Sequence, residues 1–352
     1  MKVLITGGAG FIGQHLARRL VADGHEVIAL DNLLSQVHLD PDASVAAFPG
    51  VVITGDVADQ SAWADLPAFD AVVHLAAETG TGQSMYEADR YTQVNVGGTI
   101  LAGQCAAAHG AQLVALSSRA VYGEGRHACP VHGTTFGRAC CGHAQPEASH
   151  ESDEHTPVSV YGETKSAGER ALDPIAAQVP VTTIRPQNVI GPGQALHNPY
   201  TGVLAAFLAM LKEGKPLTVY GTGAQTRDFI HVHDLAAIVA WALADSGEIG
   251  THRVFNAGCG VRTSLVDLAR YAAMGAPVKT YGVTHLDVHR AGDIEDACAD
   301  MSALLTAGGP MPTWSTSDAV ADFIRSSWEK PGAPAAAWDR ALVELEERGL
   351  TS

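Results

Sequence analysis

The stretch "LITGGAGFIG" (Leu4–Gly13) ends an aliphatic, strand-like run and opens a helical pattern carried by Ile12, Leu16 and Leu20. Gly7, Gly10 and Gly13 recur at every third position across that junction. Gly7 permits a tight turn, Gly10 lets backbone approach a pyrophosphate, and Gly13 lets the helix pack close to the strand. The first helical amides, at Phe11 and Ile12, offer free N–H groups and the positive end of the helix dipole to that anion. A second run, "EVIAL", ends on Asp31, with Asn32 after it. A carboxylate there accepts hydrogen bonds from a ribose diol and repels a 2′-phosphate, so NAD is expected rather than NADP. "TGDV", with Asp56 and Val57, follows the third run and is placed to hold the adenine. "HLAA", with Leu75, Ala76 and Ala77, follows the fourth and is placed to line the cofactor.

Outward from this junction the alternation continues. "KVLIT", "HEVIALD", "VVITGD", "AVVHLAA", "QLVALSS" and "VTTIRP" are short, rich in β-branched residues and bounded by turn residues. The segments between several of them show helical spacing. Strands alternating with helices predict an α/β chain with a Rossmann-type, doubly wound parallel sheet covered on both faces. Residues 1–185 are expected to build this NAD-binding domain, with 233–257 returning to it. Residues 186–232 and 258–330, where helical segments alternate with "LTVYG" and "VKTYGV", are expected to form a smaller mixed α/β substrate-binding domain. The tail, 331–352, reads as a Pro/Gly/Ala linker and an amphipathic helix, either a docking element or a solvated extension.

Bulk properties narrow the partners. A net charge of −16 over 352 residues argues against nucleic acid, which calls for a basic face. No apolar run is long enough to span a membrane. The start "MKVLITGGAG" lacks the apolar stretch and cleavage site of a signal peptide, so the expected compartment is the cytosol. Six cysteines in such a chain do not suggest a disulfide framework.

The reacting groups are read from two further segments. "YGETK" puts Tyr161 and Lys165 one helical turn apart on one face, and "LSSRAVYG" ends the fifth strand with Ser117 and Ser118. A phenol ordinarily titrates near pH 10 and needs a neighbouring positive charge to act as a base at neutral pH. Lys165 supplies one and is placed to bind the nicotinamide ribose. Ser118 is placed to exchange a hydrogen bond with the substrate oxygen. Together these parts suit removal of a hydroxyl proton coupled to hydride transfer to NAD.

"GGAGFIG", "HLAA", "SS…VYG" and the Tyr161-x-x-x-Lys165 pair together resemble the extended short-chain dehydrogenase/reductases that act on nucleotide sugars. The resemblance runs to about residue 330. It implies that Asn188 in "RPQNVIGPGQ", Arg227 in "GTGAQTRDFIHVHDLA" and Arg290 in "RAGD" meet the diphosphate of a nucleotide-sugar substrate. It also implies that Thr79 and Ser118 lie beside the sugar, and that the chain forms a homodimer through helices near 86–108 and 161–178. Members that are 4,6-dehydratases carry an Asp-Glu pair just after the strand-end hydroxyl residue, where this chain has Arg119 and Ala120. The implied reaction is therefore NAD-dependent 4-epimerisation through a transient 4-keto sugar. The segments "AAETGTGQSMYE" and "NVIGPGQALHNPYTG" resemble the bacterial dTDP-L-rhamnose 4-epimerases, which implies a 6-deoxyhexose. Two enzyme readings stand beside this one: a dehydrogenase or 4-ketoreductase with net NAD(H) turnover, and an epimerase of the UDP-glucose/galactose type. Tyr161, Lys165 and Ser118, present together, argue against a non-catalytic NAD sensor.

One segment stands apart from this chemistry. "CPVHGTTFGRACCGH" (Cys129–His143) lies in an insert, 124–157, within an interval between Ser118 and Tyr161 that is longer than such relatives leave. Cys129-x-x-His132 and Cys140-x-x-His143 form two knuckle-like pairs, enough for a closed four-ligand zinc site. Cys141 is an alternative to Cys140, and His127 a further substitute. The resembled epimerases have a fuller Cys-x-x-Cys-Gly second knuckle, which leaves this ligand set open. Without metal, the insert is expected to be an irregular polar loop with reduced thiols.

Overall fold

The computed structural model describes all residues except 138–139, 199–201, 278–281, 289–291 and 352. Seven strands form the main sheet: β1 (Lys2–Thr6), β2 (Glu26–Asp31), β3 (Val51–Thr54), β4 (Ala71–His74), β5 (Gln112–Leu116), β6 (Val181–Pro186) and β7 (His252–Ala257). Their order is β3-β2-β1-β4-β5-β6-β7, and every pairing is parallel. All six runs read as strands from the sequence lie side by side in it, and β7 joins from far along the chain. The order reverses at β1, which is where ligands bind in such sheets, just beyond the carboxyl ends of the strands. Thr6 stands opposite Leu30 on one side and His74 on the other. Gly7, Asp31 and Leu75 therefore emerge at one level.

Burial on both faces explains the near-continuous apolar strands. Val3, Ile5, Val73 and Val114 face helix α1 (Phe11–Ala22) and the helix Val232–Ala244. Leu4, Ile28, Val72 and Leu113 face the opposite way, against the helix Gly98–His109. A third core lies off the sheet, where Phe207, Leu217, Leu268 and Phe323 bring together the helices Val203–Lys212, Leu265–Gly275 and Thr316–Ser327. The strand Leu217–Tyr220 pairs in parallel with Val283–Leu286. "VKTYGV" is named above as a strand, but 278–281 lie outside the described residues. The buried Asp228 carboxylate accepts the amides of Cys259, Gly260 and Ala299, fastening three loops at one point.

Parts of the tail pack against the rest of the fold. Ala335 is buried and Trp338 packs against the third core. The Ala333 amide donates to Leu196 O at 2.9 Å, the Ala335 amide donates to Glu213 at 2.8 Å, and the Arg348 guanidinium lies 4.0 Å from the Tyr86 ring centroid.

The insert is more regular than expected. Arg126–Cys129, Gly133–Phe136 and Gln145–Pro146 form a three-stranded antiparallel sheet. Thr134, Thr135 and Phe136 are good strand formers, and Gly133 supplies the left-handed turn residue with φ 75°. Among the described residues, no helix is long and apolar enough to cross a membrane.

Candidate active site

The β1–α1 turn is closed by glycines in the way its spacing requires. Gly7 has φ 67°, and a Cβ there would meet the Ala76 amide nitrogen at 2.9 Å. A Cβ on Gly13 would come within 2.5 Å of the carbonyls of Gly7 and Gly8. No side chain caps α1 and no acidic residue occupies its first turn. The amides around Phe11 and Ile12 thus face the cleft without a competing carboxylate, which suits a pyrophosphate.

Asp31 is buried at the end of β2. Its Oδ2 accepts the Ala9 amide at 3.1 Å and its Oδ1 the Leu33 amide at 2.9 Å. A carboxylate has about four acceptor sites, so these bonds orient Asp31 and leave capacity for a ribose diol. His38 Nε2 lies 3.4 Å from Asp31 Oδ1. Asn32 donates to Asp56 at 3.1 Å. His74 bridges Thr6 and Thr99 at 2.8 and 3.1 Å, and burial lowers it to about 3, which keeps it neutral. The residues present therefore fit NAD.

A cleft of about 510 Å³ runs from this turn past the ends of β4, β5 and β6. Gly7, Gly10, Phe11, Ile12, Gly13, Asp31, Asn32, Val57, Leu75, Ala76 and Ala77 line one end of the series. Thr79, Ser118, Tyr161, Lys165 and Asn188 line the rest. Asp56 is not in the cleft lining and accepts from Asn32, which is.

The helix Val160–Ala171 carries Tyr161 and Lys165, and Ser159 caps it by accepting the Gly162 amide at 3.2 Å. Its position is set from two sides. Asn95, in a π-helical turn at Thr92–Gly97, joins Thr164 of this helix to the backbone of Glu78 after β4. Such turns recur at functional sites. Lys165 Nζ donates to Leu116 O at 3.0 Å, which pins the helix to the end of β5. Burial pulls Lys165 down to about 8, against the opposing charge of Glu169. Burial pushes the Tyr161 phenol up, while a hydrogen bond with Ser118 and the charge of Arg119 pull it down. Arg119 is lowered to about 10, chiefly by burial and secondly by Arg227. Its Nη1 is buried without a hydrogen-bond partner among the described residues.

Of the residues assigned to the diphosphate, Arg227 is not in the cleft lining. Arg227 Nη2 donates to Asp293 at 2.6 Å and to Ile294 O at 2.7 Å, so its guanidinium is already engaged. Arg290 lies outside the described residues. Conversely, Gln187, Gln194, Asn198 and Phe229 line the cleft without having been singled out from the sequence, and Ser117, noted there only as a strand-end serine, lines it too. Gln187 carried a usable signal, because it directly follows the carboxyl end of β6. Gln194 and Asn198 lie in "NVIGPGQALHNPYTG", where the resemblance points to the segment but no spacing singles out either residue.

In the insert, ligand atoms of Cys129, His132, Cys140 and Cys141 all lie within 4.8 Å of one another. His143 is not in the group, and Cys141 stands in its place. The Ala144 amide donates to Cys141 O at 3.1 Å, closing a tight turn that leaves His143 at an exposed corner. His127, buried in the hairpin's first strand, is not in the group either.

A parallel sheet with a glycine turn at its switch point, and Tyr161 and Lys165 facing the same cleft, defines a dinucleotide-dependent enzyme. The sequence profile of the NAD dependent epimerase/dehydratase family matches residues 3–258. A dTDP-L-rhamnose 4-epimerase from Burkholderia thailandensis is 37% identical over 346 residues, covering 92% of this chain and 93% of that one. A UDP-glucose 4-epimerase from Mycolicibacterium smegmatis is 32% identical over 287 residues, covering 79% and 84%. Among solved structures, DesIV, a dTDP-glucose 4,6-dehydratase from Streptomyces venezuelae with NAD bound, gives a TM-score of 0.79 at 28% identity. That match covers 94% of this chain and 98% of DesIV. The chain belongs to the NAD dependent epimerase/dehydratase family and, as a member, is an NAD-dependent enzyme.

Proposed function

We propose that the chain is an NAD-dependent 4-epimerase of a nucleotide-activated 6-deoxyhexose, of the dTDP-L-rhamnose type. The observation that carries this reading is the site's composition. Ser118, Tyr161 and Lys165 line one cleft with the glycine turn, and the two positions after Ser118 hold Arg119 and Ala120. Elimination of water across C5 and C6 requires an acid and a base there, and neither residue supplies them. The likeness to the Burkholderia enzyme supports the sugar class.

The roles follow from the chemistry. The amides of Phe11 and Ile12 would hold the pyrophosphate of NAD, Asp31 would hold its adenosine ribose, and Lys165 would reach its nicotinamide ribose. When bound, NAD supplies a reversible hydride acceptor at C4 of the sugar. Tyr161 takes the proton from the 4-hydroxyl, with Ser118 and Arg119 offsetting the burial that would keep the phenol protonated. Tyr161 gives the proton back after the 4-keto sugar has turned over. Thr79, Asn188, Asn198 and Phe229, which line the same cleft, would receive the sugar nucleotide. Arg227 would exchange Asp293 for phosphate oxygens, which suit its planar fork.

An epimerase regenerates its cofactor in every cycle, so purified protein with only catalytic NAD is expected to interconvert dTDP-L-rhamnose and its C4 epimer to equilibrium. A rise in NADH absorbance that matches product formation would instead make the enzyme a net dehydrogenase. Faster turnover of UDP-glucose than of the dTDP-6-deoxyhexose would overturn the sugar assignment.

A further inference from the structure

We propose that Cys129, His132, Cys140 and Cys141 bind one structural zinc ion that clips the insert sheet shut. The distances fit the metal's own geometry. With Zn–S near 2.3 Å and Zn–N near 2.0–2.1 Å, ligand atoms at the corners of a tetrahedron stand about 3.4–3.8 Å apart. Cys129 Sγ lies 3.5 Å from His132 Nδ1 and 3.5 Å from Cys141 Sγ, and Cys140 Sγ lies 3.9 Å from Cys141 Sγ. Three thiolates and one imidazole match a closed structural zinc site, with no position left for water or substrate.

The local backbone supports the same assignment. Cys129 closes the first strand of the hairpin and His132 sits in its turn, so both ligands arise from one tight corner. The Val131 amide approaches Cys129 Sγ at 3.4 Å, the kind of outer hydrogen bond that steadies a ligating thiolate. Cys140 and Cys141 come from the chain returning toward Gln145–Pro146, so the ion joins the hairpin tip to the return segment.

Among the described residues, none of the insert sheet's residues belongs to a hydrophobic core cluster. Gly133, Thr134, Gln145 and Pro146 are exposed, and the sheet adds little apolar surface to any core. Metal binding supplies folding energy where a core does not. At its base the insert is tied into the fold through Arg126 with Asp153 and through Ser149 O with Asn256. The metal would therefore order the outer end of a segment that is already anchored.

Full-length, untagged protein purified without chelator is expected to contain about one zinc per chain, and X-ray absorption to report three sulfurs and one nitrogen. Cys129→Ser and Cys141→Ser should each bring zinc to near zero, and His143→Ala should keep it. Removing zinc from the wild-type protein with a chelator should open cleavage sites for protease within 124–157, with NAD still bound and protection restored by added zinc. That reversible arm covers the case in which a cysteine variant fails to fold. Zinc-free wild-type protein whose insert already resists protease would overturn the proposal. A thiol count short by two, marking a Cys129–Cys141 disulfide, would overturn it as well. Zinc lost in His143→Ala but kept in Cys141→Ser would overturn the ligand set.

Discussion

Replacing Tyr161 by phenylalanine is expected to slow turnover by about 10²–10⁴-fold, the usual contribution of a general acid–base group. The substitution removes only the hydroxyl. The ring stays against Tyr91, whose centroid lies 6.4 Å away, and the Tyr161 backbone amide still donates to Ser84. The glycine turn follows β1 and Asp31 ends β2, distant in sequence from this helix, so bound NAD should be retained. Single-turnover kinetics with titrated NAD would separate the two effects. Activity close to that of the parent enzyme would remove Tyr161 from the chemistry.

The second large effect concerns the support beneath that helix. Glu169, one turn beyond Lys165, accepts from Arg185 Nε at 3.0 Å and from Nη2 at 2.7 Å. Arg185 also donates to the Tyr122 hydroxyl at 2.7 Å and to Glu151 O at 3.0 Å, and stacks on the Tyr122 ring. Both partners are buried, at 4% and 6% side-chain exposure. Glu169→Ala leaves the Arg185 charge buried and only partly satisfied, an imbalance that ordinarily costs about 3–5 kcal/mol. It also removes the charge that holds Lys165 up, so Lys165 should titrate lower still. The expected result is a lowered denaturation midpoint, with partial recovery in Glu169→Gln, which keeps an acceptor for the guanidinium. An unchanged midpoint in Glu169→Ala would mean that the bridge does not secure the helix.

The sheet was legible because both of its faces are covered. Strands such as Val3–Ile5 and Val72–Val73 are apolar throughout, and the glycines that end β1 leave few conformations to choose from. Tyr161, Lys165 and Ser118 were legible because each follows directly from a strand end or a helical turn. Other features depended on tertiary placement. Gln194 and Asn198 reach the cleft from a loop whose path no local spacing specifies. Arg227 sits at the expected place in the chain, yet its fork is engaged by Asp293, a partner 66 positions away. In the insert, the Cys-x-x-His spacing pointed to His143. A turn closed between Cys141 and Ala144 turns that ring outward and brings Cys141 in. The insert's strands were missed because Thr134, Thr135 and Phe136 form too short a run to stand out from a loop.

The most direct test follows the hydrogen at C4. The protein would be given dTDP-L-rhamnose carrying deuterium at C4, with unlabelled NAD, and both epimers recovered at equilibrium. The proposed mechanism predicts that the deuterium remains at C4 in both epimers, because the hydride that leaves one face of the sugar returns to the other. Deuterium accumulating in free NADH, or exchanged for solvent hydrogen, would contradict it.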